Sequence, residues 1–174
     1  MKLCANELAF LALQGWGWET ITIEGVEVLQ AQVAIAVCYG ESGGDPYAIG
    51  QNIISEKDST GSQDLGLWQI NNYWHGAKLQ ALPQWRDPWA ALALAVQCHK
   101  EAKGVWKPWH AFTGGGYKSH WQKAYQGLRA PFWALPAPSW GWRSQHGIPH
   151  RDEQVIMERA QPLITVTAPG VVKP

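Results

Sequence analysis

Residues 26–39 (Val-Glu-Val-Leu-Gln-Ala-Gln-Val-Ala-Ile-Ala-Val-Cys-Tyr) are apolar on nearly every side from Val33 onward. A helix without a polar face must be enclosed by other elements, so this segment predicts a central buried helix with the rest of the chain wrapped around it. Gly40, followed by Gly43-Gly44-Asp45-Pro46, is expected to end it, with Asp45 as a turn former. Glu41 then emerges at the C-terminal end of an apolar helix. There the helix dipole presents its negative end, and apolar surroundings withdraw water from the carboxyl. Both effects disfavour the charged form and predict a raised pKa, which suits a general acid near neutral pH.

The remaining pattern predicts one helical domain over residues 1–130 and an extension over 131–174. A short amphipathic helix is expected over 5–14. Asp87-Pro88 reads as an N-cap and first helical residue, opening a second buried helix over 88–103 that stops at Gly104. Leu65–Ile70 alternates weakly and predicts a short strand or extended turn. Gly114-Gly115-Gly116 is a break, after which Ser119 caps a helix through Leu128. From Pro131 the composition changes, with Pro131, Pro136 and Pro138 interleaved with Trp133, Trp140 and Trp142, a pattern no helix interior tolerates. A short helix over 152–161 and a strand-like end over 163–167 follow, and the extension is expected to dock or anchor the domain.

Composition removes several classes of function. The 174 residues are 46% hydrophobic and only 16% charged, which excludes a disordered chain. With 14 Lys+Arg against 14 Asp+Glu, the formal net charge is zero, so a nucleic-acid partner is not expected. No run approaches 18 uninterrupted apolar residues, so no membrane partner is expected either. The apolar run Leu8–Leu13 lacks the basic flank and small-residue exit of a signal peptide. Of the three cysteines, Cys38 and Cys98 lie in apolar helical patterns and read as small buried hydrophobes, with a bridge between them left open by spacing. The histidines lack ligand spacing, so neither a metal nor another cofactor is expected.

A second constellation follows the central helix. Gly61-Ser62-Gln63-Asp64-Leu65-Gly66-Leu67-Trp68-Gln69-Ile70-Asn71-Asn72-Tyr73-Trp74 sets the carboxylate of Asp64 and the amides of Gln69 and Asn71 beside three aromatics. Cleavage of a glycosidic bond needs a proton donor, often a second carboxylate, and polar groups that grip sugar hydroxyls and acetamides. Gln69 and Asn71 share one side if the segment is extended. The 12 tryptophans offer flat faces on which sugars can stack.

Together these segments resemble the lysozyme-like superfamily. Glu41-Ser42-Gly43-Gly44-Asp45-Pro46-Tyr47-Ala48 is similar to the Glu-Ser-x-x-x-Pro-x-Ala motif of soluble lytic transglycosylases, whose glutamate is the catalytic acid/base. Gly66-Leu67-Trp68-Gln69 is similar to their Gly-Leu-Met-Gln motif. Residues 64–71 also resemble the active-site strand of animal c-type lysozymes, in which the aspartate is the second catalytic carboxylate. Ala111-Phe112-Thr113-Gly114-Gly115 resembles the transglycosylase Ala-Tyr-Asn-Ala-Gly motif. It departs by Phe112 for tyrosine and Thr113 for asparagine, and Tyr117 could replace the lost hydroxyl. The resemblance covers residues 26–128 and is nearest to lysozyme-like domains of phage tails and virions.

The resemblance implies a mainly α, α+β lysozyme-like fold: two helical lobes with a small β-element lining a substrate cleft. It implies a muramidase that cleaves the β-1,4 bond between N-acetylmuramic acid and N-acetylglucosamine in peptidoglycan, as hydrolase or as lytic transglycosylase. Glu41 and Asp64 are then the catalytic residues. Ser42, Trp68, Gln69, Asn71, Tyr73, Trp74, Phe112, Thr113 and Tyr117 are the substrate-binding ones. Glycan strands are the expected partner, with phage tail or virion proteins a second one reached through the extension. The place of action would be the virion, or the cell wall and periplasm after delivery. A non-catalytic saccharide-binding virion module and a chitin- or chitosan-cleaving enzyme are the alternatives.

Neutrality also conceals a split. Residues 1–64 carry Lys2 and Lys57 against nine acids, whereas residues 65–130 carry six lysines and two arginines against Asp87 and Glu101. The split predicts a saccharide held between an acidic and a basic segment.

Overall fold

The computed structural model describes residues 2–52 and 61–129. Among the described residues, six α-helices run in the order α1 (Ala5–Trp16), α2 (Gln30–Ser42), α3 (Gly76–Ala81), α4 (Pro88–Glu101), α5 (His110–Thr113) and α6 (Trp121–Arg129). Between them lie strands β1 (Thr20–Ile23), β2 (Val26–Leu29), β3 (Ile49–Gln51), β4 (Gln63–Leu65) and β5 (Ile70–Asn71), and a 3-10 turn at Gly116–His120. The architecture is the mainly helical α+β one expected. The expected extension over 131–174, with its helix and strand, lies outside the described residues.

The chain divides into two compact units. Among the described residues, one unit holds 4–36 and 118–129. Here α1 packs on α6, burying Leu8, Leu11 and Leu13 from the first helix and Ala124 and Leu128 from the second. The backbone N–H of Cys4 donates to the Glu7 carboxylate at 2.8 Å, which satisfies one orphan donor at the start of α1.

This unit also corrects one expectation. Residues 26–29 do not begin the central helix; they pair antiparallel with Thr20–Ile23, in register from Thr20↔Leu29 to Ile23↔Val26. The reason is local. Thr-Ile-Thr-Ile is β-branched throughout, and Glu24 and Gly25 both adopt positive φ, at 51° and 80°. A two-residue turn of that kind has the twist that joins two strands. The helix starts only at Gln30, and from Ala31 to Tyr39 every residue is buried.

The other unit holds residues 37–117 with the short N-terminal segment before Cys4. The last turns of α2 lie in it. Gly40 does not end that helix, which continues to Ser42. A methyl group at position 40 would lie 2.7 Å from Cβ of Ala111, so the glycine serves close approach of α2 to α5. The turn beyond is the one expected, since the Asp45 carboxylate accepts from the Tyr47 N–H at 2.9 Å.

A three-stranded antiparallel sheet of order β3-β4-β5 follows. Asp64, on the central strand, pairs with Gly50 on one side and Asn71 on the other. Residues 65–70, expected as one short extended piece, are two strand ends joined by a tight turn, with Gln69 at φ 48°. Asp87 caps α4 as predicted, its carboxylate accepting from the N–H groups of Trp89 (2.8 Å) and Ala90 (3.2 Å). Ser119 lies inside the 3-10 turn, and His120 is the residue that directly precedes α6. Cys38 and Cys98 both carry free, buried thiols, so the bridge left open by spacing is not formed. No helix among the described residues is long and apolar enough to cross a membrane.

Candidate active site

The site is built within residues 37–117. Glu41 sits in the last turn of α2, where Gly40 lets α5 come close. That approach brings the backbone N–H of Ala111 to 2.7 Å from Oε1 of Glu41. The carboxyl lies above its usual pKa range. Burial is the main cause, and the charge of Asp64 pushes the same way; the Ala111 N–H and the nearby His110 pull against both. The expectation from the apolar helix end thus holds in direction, with desolvation as its chief cause.

Asp64 is held differently. Its Oδ1 accepts from the Asn71 amide at 2.7 Å and its Oδ2 from the Asn52 amide at 3.0 Å. The same two amides donate to the Ser62 hydroxyl oxygen, at 2.9 and 3.2 Å. Asn71 uses its own carbonyl to accept from the N–H groups of Tyr73 (2.9 Å) and Trp74 (3.2 Å). A single side chain therefore orients the carboxylate and shapes the loop that carries the aromatics.

Both carboxylates open on one cavity of about 570 Å³. Asn52, Ser62, Gln69, Ile70, Asn71, Trp74, His75, Cys98, Pro108, Trp109 and His110 also line it. No lysine or arginine is among the described residues that line it. The segment inferred to be basic, residues 65–130, supplies most of the described lining, from Gln69 to His110, but through polar, apolar and aromatic side chains rather than lysine or arginine. Among the described residues, no group of three or more His, Cys, Asp or Glu side chains is placed to hold a metal ion.

The sequence-predicted binding residues separate on inspection. Asn71 and Trp74 line the cavity, and Trp74 is 69% exposed, with its ring edge-on to Tyr73 at 4.9 Å. Gln69 lines it too, but at a positive φ rather than in an extended strand. Its amide N–H groups reach the carbonyls of Gly66 (2.9 Å) and Ala48 (3.3 Å), so they hold the turn. Ser42 donates to the Leu67 carbonyl at 2.7 Å, tying the end of α2 to that same turn. Trp68 is only 1% exposed and is a core residue, its carbonyl accepting from the indole N–H of Trp109 at 2.9 Å. Phe112 stacks on the buried Tyr117 at 4.8 Å, and the exposed Thr113 hydroxyl faces the carbonyls of its own helix; none of these three lines the cavity. The donor to Glu41 at this motif is the Ala111 backbone, which needs no tyrosine hydroxyl.

Several lining residues were not proposed as binding residues in advance: Asn52, Ser62, His75, Cys98, Pro108 and His110. Asn52 and Ser62 flank the loop between β3 and β4, where only strand pairing reveals that they face each other. His110 directly precedes Ala111, and that adjacency was the one available signal.

A sequence profile of the lysozyme-like domain family matches residues 19–111, just over half of the chain. The matched span includes Glu41, Asp64 and every other residue lining the cavity. No curated protein and no solved structure matches the chain significantly.

Proposed function

The chain belongs to the lysozyme-like domain family, and from that premise we propose that it degrades peptidoglycan by cleaving the β-1,4 bond between N-acetylmuramic acid and N-acetylglucosamine. The observation that carries this reading is the pairing of two carboxylates in unlike settings on one cavity. Glu41 is desolvated and biased toward its protonated form, while Asp64 is gripped by two amides. This division of labour is the one for which lysozyme is the type case.

In this reading Glu41 donates its proton to the glycosidic oxygen as the bond from that oxygen to the anomeric carbon breaks. Asp64 stabilises or captures the positive charge developing on the sugar. Water then attacks the anomeric carbon and returns its proton to Glu41, leaving a reducing end. Trp74 provides an exposed face for a sugar ring. Hydrolysis is favoured over transglycosylation because a second carboxylate shares the cavity, whereas transglycosylation asks only Glu41 and the muramic 6-hydroxyl to react.

Product analysis decides between them. Digestion of purified peptidoglycan in ¹⁸O-labelled water is expected to give reducing ends carrying the label, and Asp64→Asn is expected to slow their release by about a hundredfold. Anhydro-muramic ends without label, formed equally by Asp64→Asn, would assign the transglycosylase reaction instead. Cleavage of chitin oligosaccharides with peptidoglycan left intact would point to the chitinolytic alternative. The substrate places the action at the bacterial wall. Delivery by a phage particle, suggested by the Glu-Ser-Gly-Gly and Gly-Leu-Trp-Gln-Ile-Asn motifs, is part of the same proposal.

A further inference from the structure

His75 lines the cavity beside Trp74 and Cys98, yet it belongs to none of the motifs that identify the carboxylates. It precedes α3, and its carbonyl accepts the first hydrogen bond of that helix, from the Leu79 N–H at 3.0 Å. Its Nδ1 lies 3.5 Å from Nζ of Lys78, within hydrogen-bond reach. Lys78 is itself fixed, since its ammonium sits 2.8 Å from the Glu101 carboxylate at the end of α4. Glu101 is held in turn by the Gln97 amide at 3.3 Å. The chain Gln97–Glu101–Lys78–His75 thus runs from the exposed side of α4 to the wall of the cavity.

The chemistry of this chain fixes a proton. An ammonium group has three donors and no lone pair, so Nδ1 facing Lys78 can only accept. Neutral imidazole carries one N–H, which must then be on Nε2, on the opposite edge of the ring. No hydrogen-bond partner for Nε2 is found among the described residues. The neutral form is itself favoured: burial and the Lys78 charge lower the His75 pKa, against a smaller opposing pull from Glu101. Among the described residues, the other ionisable groups that line the cavity are Glu41, Asp64, Cys98 and His110.

We propose that His75 is a specificity-determining residue whose Nε2–H donates to an oxygen of the saccharide, with Lys78 and Glu101 as positioning residues that set its tautomer. The sugar atom it reads is a hydrogen-bond acceptor, such as an acetamide carbonyl or a ring hydroxyl oxygen. This rests on the assignment of the cavity as a glycan site. It adds a recognition element that acts in binding and takes no part in proton transfer to the scissile bond.

Two measurements test it. Nitrogen-15 NMR of the free protein is expected to find His75 neutral at pH 7 with its proton on Nε2. In Lys78→Met the tautomers should mix and the His75 pKa should rise, because a nearby cation is gone. A wild-type His75 protonated on Nδ1 would overturn the proposal without any substrate being present. Kinetics on soluble glycan strands then reads the contact. His75→Phe is expected to raise KM about three- to tenfold, the worth of one hydrogen bond, with kcat changed less than about twofold. His75→Gln, which keeps an N–H donor, should recover most of the loss. Equal KM for wild type and His75→Phe would overturn the proposal while leaving the function intact, provided Glu41→Gln is inactive. An active Glu41→Gln would remove the catalytic reading itself.

Discussion

At the scale of single residues, the proposed role of Glu41 as an acid comes at a cost to stability. Burial holds its carboxyl above the usual range, so between the unfolded and folded pKa values the folded chain keeps a proton that the unfolded chain has lost. The contribution of Glu41 to stability therefore falls as pH rises through that window, and above it the ionised carboxylate opposes folding. Glu41→Gln keeps an oxygen for the Ala111 N–H but cannot ionise. It should raise the thermal midpoint at pH 7, with the gain vanishing below the usual carboxylate range; a lower midpoint at pH 7 would contradict this. The same ionisation implies that kcat/KM of the wild type falls as pH rises through the Glu41 pKa. The roles of neighbouring side chains were less legible. Gln69, Ser42 and Trp68 sit in the motifs that resemble the family, yet their hydrogen bonds or burial are directed at the turn between β4 and β5. A motif marks where a site lies, and does not separate the residues that touch a ligand from those that hold the loop in shape.

At the scale of elements, the close approach of α2 and α5 is what gives Glu41 its backbone donor. Gly40→Ala would set a methyl group against Ala111 Cβ and push α5 outward. The expected cost is about 1–3 kcal/mol of stability, as for other overpacked contacts, together with a large loss of activity as the Ala111 N–H withdraws from Glu41. Denaturant unfolding and initial rates on the same preparation check both parts. Elsewhere the predicted cap of α4 offers a control distant from the chemistry: Asp87→Ala should cost about 1 kcal/mol and leave kcat near the wild-type value. The elements that sequence patterns conveyed well were those with strong punctuation, such as Asp87-Pro88 at the head of α4. Val26–Leu29 was misread because four apolar-rich residues adjoining a long apolar helix continue its pattern. The decisive signal was the β-branched partner strand and the Glu24-Gly25 turn before it. The six-residue α3 and four-residue α5 are too short to express a helical period.

At the scale of the whole molecule, net neutrality and a cavity lined by no lysine or arginine among the described residues leave little long-range attraction to an anionic wall. Activity on glycan strands should therefore change less than about twofold between 50 and 200 mM salt, a range over which a charge-steered enzyme would lose much of its association rate. Turnover at both salt concentrations checks this. The fold class was legible through the motifs around Glu41, Asp64 and Ala111, whose resemblance to the lysozyme-like superfamily implied a mainly helical α+β architecture. The amide cradle of Asp64 and the His75 relay were not, since both depend on pairings across strands and helices that no linear spacing reveals. The central claim is that Glu41 is the acid of a glycan-cleaving site. The most direct measurement is the rate at which wild type and Glu41→Gln, each shown to be folded, release soluble fragments from purified peptidoglycan. The wild type is predicted to release them and Glu41→Gln to do so at least about a hundredfold more slowly; equal release by the two proteins would contradict it.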